Sequence, residues 1–235
     1  MIDINSIASL LIDTIFPRRC LVCSVFLTHP LSNYSRKQAL GNYLCDVCQQ
    51  QLRHSEVIPD LPRLFGGEKV FSGYLYDGPL EKIIPPWKYH DRHEFFPLIE
   101  ILLKLALFRQ KLSTFDFDLL LAVPLAPQAL RKRGFNQAFF IASRSAEFLK
   151  YPLGYNLLLK VINTPQQASL DRRARARNLS SDVFQVPRPE KISGKNILLC
   201  DDVLTTGTTL SVAASALKRA GAASVTVFTL ARVMI

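Results

Sequence analysis

The chain has 235 residues, 49% of them apolar, and a formal net charge of +10. That length suits one large or two small domains with a real hydrophobic core. The positive charge suits an anionic partner, either a phosphorylated small molecule or a nucleic acid, and does not choose between them. The apolar stretch from Phe95 to Phe108 carries Glu100 and Lys104 and is too short to span a bilayer, which argues against membrane insertion.

Residues 2–16 predict an amphipathic helix. Asp3 and Asp13 flank its apolar run and the basic pair Arg18-Arg19 comes after it, which is not the layout of a secretory signal. A cytoplasmic protein is expected. Two C-x2-C pairs follow, Cys20/Cys23 and Cys45/Cys48. Pro59, Pro62, Gly66 and Gly67 then mark a break. Residues 1–58 are therefore expected to form a helix with a small metal-binding module, and residues 59–235 a second domain.

In that second domain Lys69 to Tyr76 reads as a strand and Asp77-Gly78-Pro79 as a turn. Leu80 to Ile84 begins a helix that Pro85-Pro86 is expected to stop. Phe95 to Lys111 has helical spacing, with Leu98, Leu102, Leu105 and Phe108 on one side. Strands and helices then alternate. Leu119 to Val123 is a strand ending at Pro124, and Phe135 to Lys150 a helix. Leu157 to Ile162 is a strand, and residues 163–185 a long, basic, irregular stretch. Ile192 to Cys200 is a strand, Thr208 to Ala220 a helix capped by Gly221, and Ser224 to Ala231 a final strand. Continuous apolar runs are typical of buried parallel strands. The alternation predicts an α/β fold, a parallel sheet with helices on both faces. Ligands bind such sheets beyond the strand C-terminal ends, where Pro124 and Asp201 lie.

Each cysteine pair can turn two thiolates onto one metal, and two pairs complete a tetrahedron. Zinc is favoured because four soft sulfur ligands suit it and a cytoplasmic site needs no redox activity. A disulfide pair and an iron site are the competing readings. Four protein ligands leave no open coordination position, so Cys20, Cys23, Cys45 and Cys48 are expected to hold a fold and not to catalyse. Cys200 reads as a small core residue.

The most informative stretch is Asp201-Asp202-Val203-Leu204-Thr205-Thr206-Gly207-Thr208-Thr209, after the apolar run from Ile197 to Cys200. Two adjacent carboxylates can accept hydrogen bonds from a vicinal diol. The threonine-glycine loop before a helix can surround a phosphate with backbone N–H groups and hydroxyls, where the dipole favours negative charge. A sugar with a terminal phosphate satisfies both halves. The competing reading is a polar strand-to-helix turn with Thr205 or Thr206 as N-cap. Upstream, Val123-Pro124-Leu125 can present backbone N–H groups to a pyrophosphate. Arg131, Lys132, Arg133 and Asn136 then supply donors for anionic oxygens, or face solvent as an ordinary basic run.

With Arg131-Lys132-Arg133-Gly134-Phe135-Asn136-Gln137-Ala138, Thr164-Pro165-Gln166-Gln167, Leu170, Arg175, Asn178 and Phe184, these stretches resemble the ComF family almost end to end. The resemblance implies a type I phosphoribosyltransferase-like domain behind a small N-terminal zinc ribbon with four cysteine ligands. It also implies a link with natural competence and DNA uptake, and Mg²⁺-dependent binding of phosphoribosyl pyrophosphate (PRPP). By that likeness Asp201 and Asp202, the candidate catalytic pair, hold the ribose hydroxyls. Val203, Leu204 and Thr205 to Thr209 hold the 5′-phosphate. Pro124, Leu125, Arg131, Arg133 and Asn136 face the pyrophosphate, and Lys88 stands near the site. Gln167, Arg172, Arg173, Arg175 and Asn178 belong to the loop that closes over substrate. The chain departs from the pattern at Lys160, where arginine is expected, and at Asp91, where glycine is. Thr205 stands where purine-salvage enzymes carry an aspartate, and a threonine is no general base near neutral pH, so a hypoxanthine- or guanine-type reaction is disfavoured.

Two functions stay open. One is an enzyme that displaces pyrophosphate from PRPP onto an acceptor the sequence does not define. The other is a non-catalytic protein that handles single-stranded DNA or binds competence or DNA-processing proteins through its basic surface, retaining the PRPP site as a sensor. The sequence offers no clear row of aromatic residues among the basic ones, which weighs against direct strand binding.

Overall fold

The structure, a computed structural model, describes residues 17–27, 36–56, 68–89, 92–161 and 183–234. The expected helix over 2–16, the break around Pro59 to Gly67, Asp91 and the loop bearing Gln167, Arg172, Arg173, Arg175 and Asn178 lie outside the described residues. The chain divides into two compact units, Met1–Glu56 with Tyr76–Ile101, and Val57–Leu75 with Leu102–Ile235.

The first unit contains the cysteine pairs, helices α1 (Arg36–Gly41), α2 (Asp46–His54) and α3 (Gly78–Tyr89), and the first half of α4 (Phe95–Arg109). Leu44, Leu52, Leu80, Ile83, Ile84, Trp87, Phe95, Leu98 and Ile99 form its buried apolar set. The expected turn at Asp77-Gly78-Pro79 is the start of α3. Pro79 sits in the first turn, where its missing N–H costs nothing. Nor do Pro85 and Pro86 stop the helix, which runs on to Tyr89. A proline inside a helix costs about 3 kcal/mol. Ile83, Ile84 and Trp87 are at most 1% exposed around the pair, and burying each such side chain returns roughly 1.5–3 kcal/mol. Packing outweighs the local rule here. Along α4 the buried stripe is Leu98, Ile99, Leu102, Leu103, Ala106 and Leu107, while Phe108 is 57% exposed. The expected stripe through Leu105 and Phe108 therefore runs a step ahead of the true 3.6-residue period.

The second unit is built on a four-stranded parallel sheet of order β1-β6-β5-β2. Its strands are β1 (Lys69–Leu75), β2 (Leu119–Ala122), β5 (Asn196–Leu204) and β6 (Ser224–Arg232). Helix α6 (Gln137–Leu149) packs on β2 and β5, and α7 (Thr208–Arg219) on β5 and β6. The two helices take opposite faces. Leu210, Ala213 and Leu217 of α7 join Ile197, Leu199, Val225 and Val227, whereas Ser145 of α6 reaches Cys200, on the other side of the pleat. These are the helices on both faces that the alternating pattern implies.

Three differences from the sequence reading matter. The segment Leu157–Ile162 does not join the parallel sheet. Its strand β3 (Leu159–Lys160) pairs antiparallel with β4 (Phe184–Gln185) in a separate ribbon. A short helix α5 (Pro127–Arg133) fills the basic run, closed by Gly134 at φ 80°, so the next helix starts at Gln137 and not at Phe135. Finally, β5 begins four residues later than expected, after a turn at Gly194 (φ 73°), and runs through both acids to Leu204. Pairing with β6 as far as Leu204↔Arg232 carries it past the acids.

Gly73 on β1 shows how tightly this core is closed. A Cβ there would lie 2.5 Å from the Ala106 Cβ and 2.9 Å from the Leu230 carbonyl oxygen. Gly73→Ala is expected to lower stability by roughly 1–3 kcal/mol, read as a lower urea midpoint with an unchanged m-value.

Candidate functional site

The candidate site is made by unequal strand lengths. On one side β5 is paired with β2 only from Leu119↔Ile197 to Ala122↔Cys200, and the last bond is Val123 N–H to the Cys200 carbonyl at 2.9 Å. On the other side β5 stays paired with β6 to its end. Asp201 to Leu204 therefore project past β2 while held rigidly by β6. Opposite them the chain turns away at Pro124. With no β2 residue alongside, the Asp202 N–H donates to Asp201 Oδ1 at 2.8 Å, and the Val203 N–H donates to Asp202 Oδ1 at 2.6 Å. Asp202 is 8% exposed and Asp201 partly buried. Successive strand residues face opposite sides of a sheet, so a diol gripped by both acids must lie at the open edge between the faces.

Beyond Leu204 comes the threonine turn. The N-cap of α7 is Gly207, at φ 75° and ψ −5°, and neither Thr205 nor Thr206 caps the helix. Gly207 has no side chain to satisfy the first-turn N–H groups, which then point out of the helix as an anion cradle. The left-handed conformation explains the glycine, since a Cβ there costs roughly 1–2 kcal/mol. Thr205, Thr206, Thr208 and Thr209 are exposed, and the Thr206 and Thr208 hydroxyls lie 3.1 Å apart. Buried Cys200 directly precedes the acids. Burial pushes its thiol far above the ordinary value and the charge of Asp201 adds to this, against a lowering contact from Ser145, so it remains an inert core thiol.

On the β2 side, Asn136 gives its side chain to the fold. Its Nδ2 donates to the Val123 carbonyl at 3.0 Å, and its Oδ1 caps α6 by accepting from the Ala138 N–H at 3.0 Å. One side chain thus fixes both the loop after β2 and the start of α6. Arg133 Nη1 donates to Gln137 Oε1 at 3.4 Å, and Arg131 and Lys132 are exposed. Pro124, Leu125 and Asn136 line a cavity of about 740 Å³ with Phe139, Asn156 and Lys160. The sequence reading did not single out Phe139, Tyr155 or Asn156 there. Tyr155 is 60% exposed, its ring centroid 5.6 Å from that of Phe139. Asn156 sits at φ 52°, and the Gly154-Tyr155-Asn156 triplet was the available sign of a turn presenting a ring. Lys88 lies in the other unit, partly buried on α3.

In that first unit the four N-terminal cysteines come together. Their Sγ atoms all lie within 4.8 Å of one another, and the Cys23–Cys45 pair is 3.6 Å apart. A tetrahedral site of four sulfurs with zinc–sulfur bonds near 2.3 Å has sulfur–sulfur edges of about 3.8 Å, so the set fits such an ion. None of the five cysteines is joined in a disulfide in this structure. The first pair lies on a knuckle with bonds from Cys20 N–H to the Val25 carbonyl and from Ser24 N–H to the Cys20 carbonyl; the second lies at the start of α2, whose N-cap is Cys45. A bond from Leu21 N–H to the Tyr43 carbonyl at 2.9 Å ties the two together. Burial raises the Cys20 thiol, but backbone donors from Cys23, Cys45 and Val22 outweigh it and bring it down to about 7. Cys48 is pushed well up by burial and by the other three sulfurs. Cys20 is thus held toward its thiolate and Cys48 toward its thiol, a conflict that a bound dication would remove.

A family model of the Phosphoribosyl transferase domain matches residues 159–235. DNA utilization protein YhgH of Escherichia coli strain K12 is 30% identical over 204 residues, covering 85% of this chain and 88% of that protein. Competence protein F of Haemophilus influenzae is 28% identical over 160 residues, 67% of this chain and 69% of that one. Among solved structures, the glutamine PRPP amidotransferase from B. subtilis matches with a TM-score of 0.41 and 17% identity over 61% of this chain; this chain spans only 30% of that enzyme's. The chain belongs to the ComF family, proteins with a phosphoribosyltransferase-like domain and an N-terminal cysteine cluster.

Removing the shared anchor is the direct check on the β2 side. Asn136→Ala should cost about 1–2 kcal/mol in urea unfolding without any ligand, the worth of an N-cap. Asn136→Asp, which keeps the cap acceptor, should cost less.

Proposed function

We propose that the β5 edge binds PRPP, with Asp201 and Asp202 on the ribose hydroxyls and the Thr205 to Thr209 turn on the 5′-phosphate. The observation that carries this reading is the pairing of two acids on a strand segment that β2 does not reach with a helix whose N-cap has no side chain. One part offers acceptors and the other donors, as a sugar phosphate requires. The loop from Pro124 and Leu125, with Arg131 and Arg133, faces the pyrophosphate, and Asn136 holds that loop in place. Mg²⁺ bound with the pyrophosphate would supply charge neutralisation for the leaving group. The relatives named for DNA utilization and competence favour a role in DNA uptake. The four cysteines hold structural zinc, in a cytoplasmic setting that keeps the thiolates reduced.

Calorimetry with PRPP and Mg²⁺ tests this reading. Wild type should bind, and the Asp201→Asn/Asp202→Asn variant should bind at least about tenfold more weakly, given 1.5–3 kcal/mol for each hydrogen bond to a charged group. Failure of the zinc-loaded wild type to bind would refute the assignment. Slow PRPP consumption with release of pyrophosphate marks an enzyme; binding without consumption marks a sensor. For the metal, elemental analysis should give about one zinc per chain, and a chelator should unfold the cysteine unit first.

A second reading, in which the same unit handles single-stranded DNA, is favoured by the Phe139–Tyr155 ring pair. Arg188 Nη2 donates to the Tyr155 carbonyl at 3.1 Å and Lys160 lines the adjoining cavity, so aromatic and basic groups meet here although they are scattered in sequence. A base stacked on Tyr155 contributes about 1–3 kcal/mol. Tyr155→Ala should therefore weaken a salt-dependent complex with oligo(dT) by roughly fivefold or more, without changing PRPP affinity. Unchanged oligo(dT) affinity would exclude Tyr155 as a stacking platform.

A further inference from the structure

The N-terminal ends of the strands, opposite to the PRPP edge, hold a second cavity of about 380 Å³. Glu68, Lys69, Phe115, Phe117, Lys218 and Ser224 are among the residues that line it. Glu68 is 2% exposed, which is rare for a carboxylate. Lys218 Nζ stands 2.8 Å from its Oε1 as an ion pair, while Oε2 receives no hydrogen bond among the described residues. The Lys218 side chain is itself 41% exposed, so the pair is anchored in solvent on one side only. Phe115 and Phe117 line the same cavity as a ring pair, 5.8 Å between centroids and 11° from parallel, with the Lys69 ammonium 5.5 Å from the Phe115 centroid.

We infer that this cavity is a second binding site, for a small planar molecule presenting two parallel N–H donors. Glu68 accepts the donor pair, and the ring of Phe115, the less buried of the two, packs against the plane. A buried carboxylate without aligned donors costs free energy. A guanidinium or a guanine edge supplies two such donors in the fork geometry that carboxylates accept. An adenine edge, with one donor beside an acceptor, does not. The lysines balance the charge of Glu68 and Asp116, so the site does not demand a cation. The inference is independent of the PRPP reading, since no residue is shared between the two sites.

The test uses the full-length, zinc-loaded protein with three probes lacking phosphate: agmatine, guanosine and adenosine. Calorimetry should show binding of agmatine, guanosine or both, and none of adenosine. Agmatine alone identifies a guanidinium ligand, and guanosine alone a base. Binding should persist in the Asp201→Asn/Asp202→Asn variant, which separates this site from the sugar-phosphate edge. Glu68→Gln should weaken it at least about tenfold while leaving the Tm of the free protein unchanged or a few degrees higher, because a buried charge is removed. Phe115→Leu should weaken binding severalfold. No binding of agmatine or guanosine, equal binding of adenosine, an affinity unaffected by Phe115→Leu, or a marked fall in Tm on Glu68→Gln would overturn the proposal. The last result would make Glu68–Lys218 a structural ion pair.

Discussion

The proposed site depends on the difference in length between β5 and its neighbour β2. A strand paired on both edges has its backbone committed and only its faces available. Where β2 ends at Ala122 and turns off at Pro124, β5 continues with one edge held by β6 and the other open. Rigidity and accessibility are usually opposed, and this half-paired segment has both. The two acids fall on it, and the helix N-terminus follows after a short turn that ends in the left-handed Gly207. Asn136 then fixes the far wall by binding the Val123 carbonyl and capping α6 with one amide. The parts come from segments far apart in sequence, yet each is placed by a backbone hydrogen bond or a cap and not by a mobile side chain.

The cysteine unit rests on a different principle. It buries few large side chains around the sulfurs, and its two halves are joined by short backbone links such as that between Leu21 and Tyr43. A small module of this kind would gain stability from a metal held by its four cysteines, because the binding free energy of the ion is also folding free energy. Helix α3 supplies the apolar counterweight, with Trp87 and the two isoleucines packed tightly enough to keep a helix through two consecutive prolines.

Much of this was legible in the sequence. The cysteine spacing foretold the cluster, and alternating apolar runs foretold a parallel sheet with helices on both faces. The acid pair and the threonine turn stood out because their spacing is chemically specific. What sequence could not give was where pairing ends. The run from Ile192 reads as one strand because apolar content does not reveal that Gly194 breaks the chain before Asn196, nor that β6 extends β5 through two aspartates. Local rules also placed a stop at Pro85-Pro86 that tertiary burial overrides. Leu159 and Lys160 look like sheet residues, but only the return of Phe184 and Gln185 makes them an antiparallel ribbon. Glu68 and Tyr155 were invisible for the same reason: one is unusual by burial and the other by its neighbours, and both are properties of the folded chain.

The most direct test of the central claim is a crystal structure of the protein soaked with PRPP and Mg²⁺. The account predicts ribose hydroxyl oxygens within hydrogen-bonding distance of the Asp201 and Asp202 carboxylates, and the 5′-phosphate on the backbone N–H groups of the Thr205 to Thr209 turn. Ligand density elsewhere on the molecule, with that turn and both carboxylates untouched, would contradict it.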